Sequence, residues 1–417
     1  MARLLPIAAA ATVLFVSALA VTAQEPKAEA VSMQQVKAAV DRLGDLDFSS
    51  RMKAAQTVRR APAAIASPAL VEAVSSHTDG YVRFKALVLL AGLNDPRAKP
   101  LMLDALRDPN DRLRATAYAY FEDHPSADAL AFMLPAYERE QSEFVRPSLT
   151  RALAAASVSR ASAGPALGRP PARGAGSGLP ADNVTRLQTL MRQAVTRGQD
   201  FFRSIAIEAL GDHKATYALP EIVKVATLDG PLQDDAALAI GRIGDKSGLE
   251  TLAAMQRSAS KTLQPTVAAG ICLLGVNCDS HVGYLVQTLG FAVKNLGFQE
   301  LLRSTATGLA AVAAAGNADA LTALFAAGIP ARDPARAPIA LAVGEVAIRN
   351  PAFLLRWFET RRDQAEVTSL LAESFDMLEE HYEEERFYVT VRRAYWQAPE
   401  GSATRRSAGT LIGKLEF

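Results

Sequence analysis

The sequence predicts an all-α fold, a stack of antiparallel helix pairs, from two observations on its 417 residues. A single helical pattern, apolar at positions 0, +4, +7 and +8, recurs through most of the chain. It reads Val82, Ala86, Leu89, Leu90; then Leu113, Ala117, Tyr120, Phe121; then Val145, Leu149, Ala152, Leu153; then Phe202, Ala206, Ala209, Leu210. Such spacing puts the apolar side chains on one face of a helix. The closing residues also keep a regular interval: Leu90 to Phe121 is 31, Phe121 to Leu153 is 32, Leu210 to Ile243 is 33 and Ile243 to Leu274 is 31. A unit of that length holds two short helices, and a recurring unit of this kind builds a solenoid in which each repeat buries its core against its neighbours.

The order of segments follows from composition. Residues 1–23 open with Arg3, run apolar from Leu4 to Ala20 and close on Val21-Thr22-Ala23 before the polar Gln24-Glu25. This is the pattern of a secretory signal peptide cleaved after Ala23; the apolar run is short of the ~20 residues a membrane span needs and contains Pro6. Removing it takes away one arginine, leaving 44 Lys+Arg from 45 against 44 Asp+Glu, so no basic footprint for nucleic acid is expected. A chain that is 49% hydrophobic and 21% charged can bury a large core. Residues 24–156 and 183–349 are expected to be two stretches of repeats. In each the stripe helix alternates with a second helix, as at Arg97–Leu106, Ala127–Tyr137, Tyr217–Thr227 and Leu249–Arg257, often opened by pairs such as Ser67-Pro68 and Asp95-Pro96.

Between them the interval from Leu153 to Leu210 is 57, which leaves 26 residues beyond one repeat. These are residues 157–182, dense in Gly, Pro, Ala and Ser and expected to be a disordered insertion. From about Asn350 to the C-terminus the side chains become larger and more charged, and residues 350–417 are expected to form a helical cap over the last open face of the stack.

An arginine sits just inside the stripe helix at Arg83, Arg114, Arg146, Arg203 and Arg336, and in four cases an acid lies three residues earlier, at Asp111, Glu143, Asp200 and Asp333. An acid there favours the positive end of the helix, and acid and arginine from adjoining repeats have the spacing for lateral pairing. With prolines in the alternate helices at Pro68, Pro100, Pro135 and Pro220, this pattern resembles HEAT repeats over roughly residues 64–280. It departs from them at Ala236 and Val267, which stand in place of the arginine. The resemblance implies a right-handed α-solenoid of about nine or ten stacked HEAT-like helix pairs, used for binding proteins and carrying no catalytic site.

No catalytic constellation emerges from the residues themselves. Metal-binding and nucleophile motifs are missing, and Gly409-Thr-Leu-Ile-Gly413-Lys414 is one residue short of a phosphate loop. The five histidines are scattered, so neither a metal nor a cofactor is expected. Cys272 and Cys278 lie six apart and read either as a structural disulfide of an oxidising compartment or as two buried thiols. A redox pair would prefer the tighter Cys-x-x-Cys spacing.

The expected function is a non-enzymatic scaffold, periplasmic or secreted, that binds a protein or peptide through its concave face, without nucleic acid and without stable membrane insertion once the signal is removed. In proteins of this kind the stripe helix lines that face. Its +3, +5 and +6 positions then offer Lys85, Tyr118, Arg151 and Glu208 as partner contacts. Two alternatives stay open: an enzyme, lyase-like or otherwise, with a site formed between distant repeats, and a structural component of the cell envelope.

Overall fold

A computed structural model describes residues 31–158, 181–378, 381–415 and 417. The proposed signal peptide, and the body of the Gly/Pro/Ala-rich insertion from 159 to 180, lie outside the described residues. Among the described residues the chain forms 22 α-helices joined by turns and three short 3₁₀ segments. The first half comprises α1 (Met33–Asp41), α2 (Phe48–Arg60), α3 (Ala63–Ser76), α4 (Gly80–Gly92), α5 (Ala98–Ala105), α6 (Asp111–Asp123), α7 (Ala127–Arg139), α8 (Arg146–Val158), α9 (Ala181–Thr196), α10 (Asp200–Asp212), α11 (Leu219–Ala226) and α12 (Gln233–Ile243). The second half comprises α13 (Leu249–Ser258), α14 (Gln264–Leu273), α15 (Cys278–Lys294), α16 (Gln299–Ala314), α17 (Ala318–Gly328), α18 (Arg336–Arg349), α19 (Pro351–Glu359), α20 (Gln364–Leu378), α21 (His381–Gln397) and α22 (Ala403–Lys414).

The even-numbered helices from α4 to α18 carry the apolar stripes and stack directly on one another. Leu90, Phe121, Leu153, Leu210 and Ile243 are all buried, as the 0, +4, +7, +8 pattern requires. The edges of the insertion shift slightly. Ser157 is buried at the end of α8, where its hydroxyl lies 2.7 Å from that of Tyr217, and Asp182 is already inside α9. Ser67-Pro68 does not open a helix, because α3 begins at Ala63 and holds Pro68 in its interior.

Close stacking of the inner helices has a cause in composition. A Cβ added to Gly241 would lie 2.6 Å from the Cα of Gly270, and one added to Gly211 would lie 2.8 Å from the Cα of Ala239. Gly270 meets the Ala237 carbonyl and Gly308 the Pro265 carbonyl in the same manner. Helices α10, α12, α14 and α16 therefore touch backbone to backbone, which only glycine and alanine allow. Narrow spacing on the inner side with ordinary spacing outside bends the stack inward.

The bend is carried far enough to close the molecule. Helix α21 packs against α4 and α6, some 300 residues earlier, as well as against α18, α19 and α22. The Arg59 guanidinium on α2 forms a buried ion pair with Glu385 on α21, at 2.7 Å, and lies over the Tyr388 ring. Tyr382 meets Tyr120 edge to face, and Arg386 reaches Asp123 at 3.1 Å. Gly92 leaves the space that the Glu385 side chain fills, since a Cβ there would stand 2.8 Å from Glu385 Cγ. The C-terminal helices cover the last repeats, with α21 and α22 on α18, α19 and α20, and they cover the N-terminal repeats of the same chain as well. Tyr395 is buried while its neighbour Trp396 is half exposed.

The recurring arginines have a common task that differs from a continuous lateral ladder. Arg83 donates to the carbonyl of His77, Arg114 to that of Asp108, Arg146 to that of Glu140, Arg203 to that of Val195 and Arg336 to those of Gly328 and Ile329. Each cation thereby satisfies carbonyls at the end of the preceding helix, which would otherwise lack donors. Asp111 pairs with Arg114 and Asp200 with Arg203 within one repeat, at 2.7 Å each. Lateral contacts are Arg114 to Glu140 and Arg336 to Glu373. Arg146 makes neither kind of pair with Glu143: its guanidinium lies between the rings of Tyr137 and Phe202. Arg336 likewise turns to Glu373 and not to Asp333, which precedes a cis proline. The sulfurs of Cys272 and Cys278 are bonded, tying the end of α14 to the start of α15.

Candidate functional site

Closure turns the concave face into a chamber of about 1040 Å³. The C-terminal ends of α4, α6, α10, α12 and α18 converge on it, together with α8, α16, α20 and α21. Charged and apolar side chains share its lining. The ends of α6 to α12 supply Glu122, Asp123, Arg151, Glu208, Asp212, His213, Lys214 and Arg242; α16 and α18 add Arg303, Glu345 and Arg349 beside Ala311, Ala337, Leu341 and Ile348, with Leu273 and Leu378 from α14 and α20.

The charged groups form a connected lattice. Arg242 lies 3.3 Å from Asp212 and 3.0 Å from Glu345, and Arg349 contacts Glu208, Asp212 and Glu345. Two guanidiniums thus serve three carboxylates drawn from α10 and α18, helices four repeats apart. Burial alone would raise the Asp212 carboxyl; the charges of Arg349 and Arg242 outweigh it and hold the group below the usual carboxylate range. Glu122 and His213 meet at 3.1 Å. There too burial acts upward on the carboxyl, and the hydrogen bond and charge of His213 reverse it, leaving Glu122 lowered. His124 stacks on Tyr120, with ring centroids 4.2 Å apart, and its own burial pushes the imidazole down. Among the described residues no three His, Cys, Asp or Glu side chains come together in a way that could hold a metal ion.

Of the four partner contacts read from the sequence, two line this chamber, Arg151 and Glu208. Tyr118 does not: it is 1% exposed and burial pushes its hydroxyl up to about 12, so it belongs to the core. The reason is geometric. Inner helices stacked this closely bury their +5 positions in the seam between neighbours, as Leu87, Tyr118, Thr150 and Ile207 all are. Lys85 is half-buried on α4 and lies outside the chamber lining; burial pushes its amine down to about 8, and Arg59, Glu384 and Glu385 at the closing seam are its charged surroundings. Missed in the sequence were the helix ends at +9 to +12, where Glu122-Asp123-His124 and Asp212-His213-Lys214 recur after their stripes. That repeated acid and histidine cluster was the available signal.

Comparison with known proteins finds a family match for one part of the chain. Residues 67–154 match the family model described as HEAT repeats. No curated protein matches the sequence. Among solved structures, an engineered protein is 17% identical, with 92% of this chain and 99% of that chain covered and a TM-score of 0.31. The complex of CpcE and CpcF of phycocyanin lyase from Nostoc sp. PCC7120 is 15% identical over 67% of this chain and 94% of that chain, with a TM-score of 0.39. Kap121p bound to Pho4p is 11% identical over 92% of this chain, which spans 51% of that chain's length, with a TM-score of 0.40. With its helix pairs, small-residue inner seams and arginine-closed helix ends, this protein is an α-solenoid of HEAT-like repeats.

Proposed function

We propose that the protein is an exported binding scaffold that holds a short protein or peptide segment in the chamber enclosed by its repeats. The observation that carries this is the chamber itself: about 1040 Å³ in volume, with an ion lattice that spans α10, α12 and α18 and apolar side chains beside it. Its size reaches the upper end of the ~300–1,000 Å³ typical of ligand sites, and the mixed lining suits a segment that carries both polar and apolar side chains. The paired charges favour recognition by register over long-range attraction, since the whole chain carries almost no net charge. Export is supported by the N-terminal pattern and by a disulfide of the kind that persists in oxidising compartments.

A photo-crosslinking side chain at Leu341, 41% exposed within the chamber, tests the reading against the same group at Leu228, 63% exposed and outside it. A peptide adduct at 341 and not at 228 is the expected outcome. Adducts at 228 alone would move the binding surface off the chamber and overturn the proposal.

One observation favours a second reading, an enzyme whose site forms between repeats: Glu122 and His213, from α6 and the end of α10, face the chamber as a hydrogen-bonded carboxylate and imidazole. Such a pair can move a proton. Turnover found in a broad substrate screen and lost in His213→Ala would establish it in place of the scaffold.

A further inference from the structure

We propose that the turn joining α15 to α16 is a wedge that dips into the surface of a bilayer containing anionic lipid. Three large apolar side chains are exposed at this corner: Phe291 at 46%, Leu296 at 56% and Phe298 at 46%. The two phenylalanine rings pack edge to face at 5.0 Å, so they form one knob.

The knob stands clear of the solenoid. Helix α15 has 17 residues and α16 has 16, against 10 each in α13 and α14 and 11 in α17. At about 1.5 Å per residue the extra length carries the corner roughly two helical turns past its neighbours on one side. Gly290 and Gly297 have nothing within 4 Å of the place a Cβ would take, which keeps the tip thin.

Charge selects the occupant. Between Asp279 and Glu300 the only Lys, Arg, Asp or Glu is Lys294, and it is exposed on the same tip. Glu300, two residues past Phe298, is exposed but pairs with Arg303 at 2.7 Å, so the corner keeps one cation in excess and fits headgroups that are anionic above and hydrocarbon below. A second copy of the chain fits less well. The knob offers on the order of 300 Å² of apolar surface, taking ~200 Å² for a whole aromatic side chain, against the ~800 Å² per partner that a stable protein interface buries.

The full chain carrying Phe298→Trp provides a local readout. Its added fluorescence over wild type is measured with vesicles of phosphatidylcholine alone or mixed with phosphatidylglycerol, both with brominated acyl chains. Expected is at least twofold quenching with the phosphatidylglycerol vesicles and little with phosphatidylcholine alone, a preference that Lys294→Glu removes. Phe291→Ser with Leu296→Ser in the same background should abolish quenching at unchanged helical content by circular dichroism. An apolar segment elsewhere in the chain does not by itself bring residue 298 to the depth of the bromines. Absence of quenching, or quenching that survives both sets of substitutions, overturns the proposal. So does a blue shift of the introduced indole that grows with protein concentration in the absence of lipid, which would make the knob a contact between copies. Should the double serine variant lose helix, the lipid preference of Lys294→Glu decides alone.

Discussion

Arg59 and Glu385, 326 positions apart, form a buried ion pair in which the guanidinium Nε donates at 2.8 Å to the carboxylate, with side chains 9% and 4% accessible. It joins α2 to α21 and so closes the solenoid. Removing one member leaves the other charge buried without compensation, a loss of about 3–5 kcal/mol, while an apolar replacement of both can be nearly neutral. Arg59→Met alone and Glu385→Gln alone should therefore each lower the denaturation midpoint sharply, with Arg59→Met/Glu385→Met recovering most of the loss. Three equal effects in urea unfolding would mean that the pair is not coupled.

The glycine seams make a contrasting pair of substitutions. Gly241→Ala should cost about 1–3 kcal/mol, because its methyl group would enter the backbone of Gly270 and push α12 from α14. Gly290→Ala has open space around it and sits inside α15, so it should be neutral or gain up to ~1 kcal/mol from helix propensity. Thermal melts of the two variants compare them directly, and small-angle scattering should show the first alone widening the ring.

Asp235 supplies a test of pH. Burial pushes its carboxyl up to about 6, although the Ser204 hydroxyl donates to it at 2.5 Å. A carboxyl whose folded value is raised from 3.8 contributes its full stability below about pH 4 and loses it as the pH rises through about 6. Asp235→Asn should consequently stabilise the protein at pH 7 by on the order of 1–2 kcal/mol, with the gain shrinking towards pH 4. Urea midpoints measured at both pH values check the sign; a gain that grows on acidification would contradict it.

Cys272 and Cys278 close a short loop between α14 and α15. A loop of that size is worth about 2 kcal/mol in restricted unfolded-state entropy. Cys272→Ala/Cys278→Ala should destabilise by that amount, and denatured wild-type protein should present no thiol to a thiol reagent until reductant is added.

The repeats were legible in the sequence because each stripe is a local matter. Whether Leu90 or Leu153 is buried depends on the 3.6-residue period and on the partner helix next in sequence, and both are written within one 31-residue unit. The arginines at the helix starts were equally visible, yet their carbonyl acceptors were not, since no side-chain pattern marks which carbonyls a helix end leaves without donors. The chamber is of another kind. Curvature is a sum of small rotations set by Gly211, Gly241, Gly270 and Gly308, and no single repeat reveals whether the total brings α21 back to α4. For that reason Arg151 and Glu208 could be placed on the inner face from their register, while Tyr118, one position off, went into the seam. The meeting of Arg349 with Glu208 and Asp212, and of Arg59 with Glu385, exists only once the ring is closed. Sequence determined the repeating helix pair and its buried face; tertiary structure decided the closure, because contacts between the two ends arise from the accumulated geometry of every repeat between them.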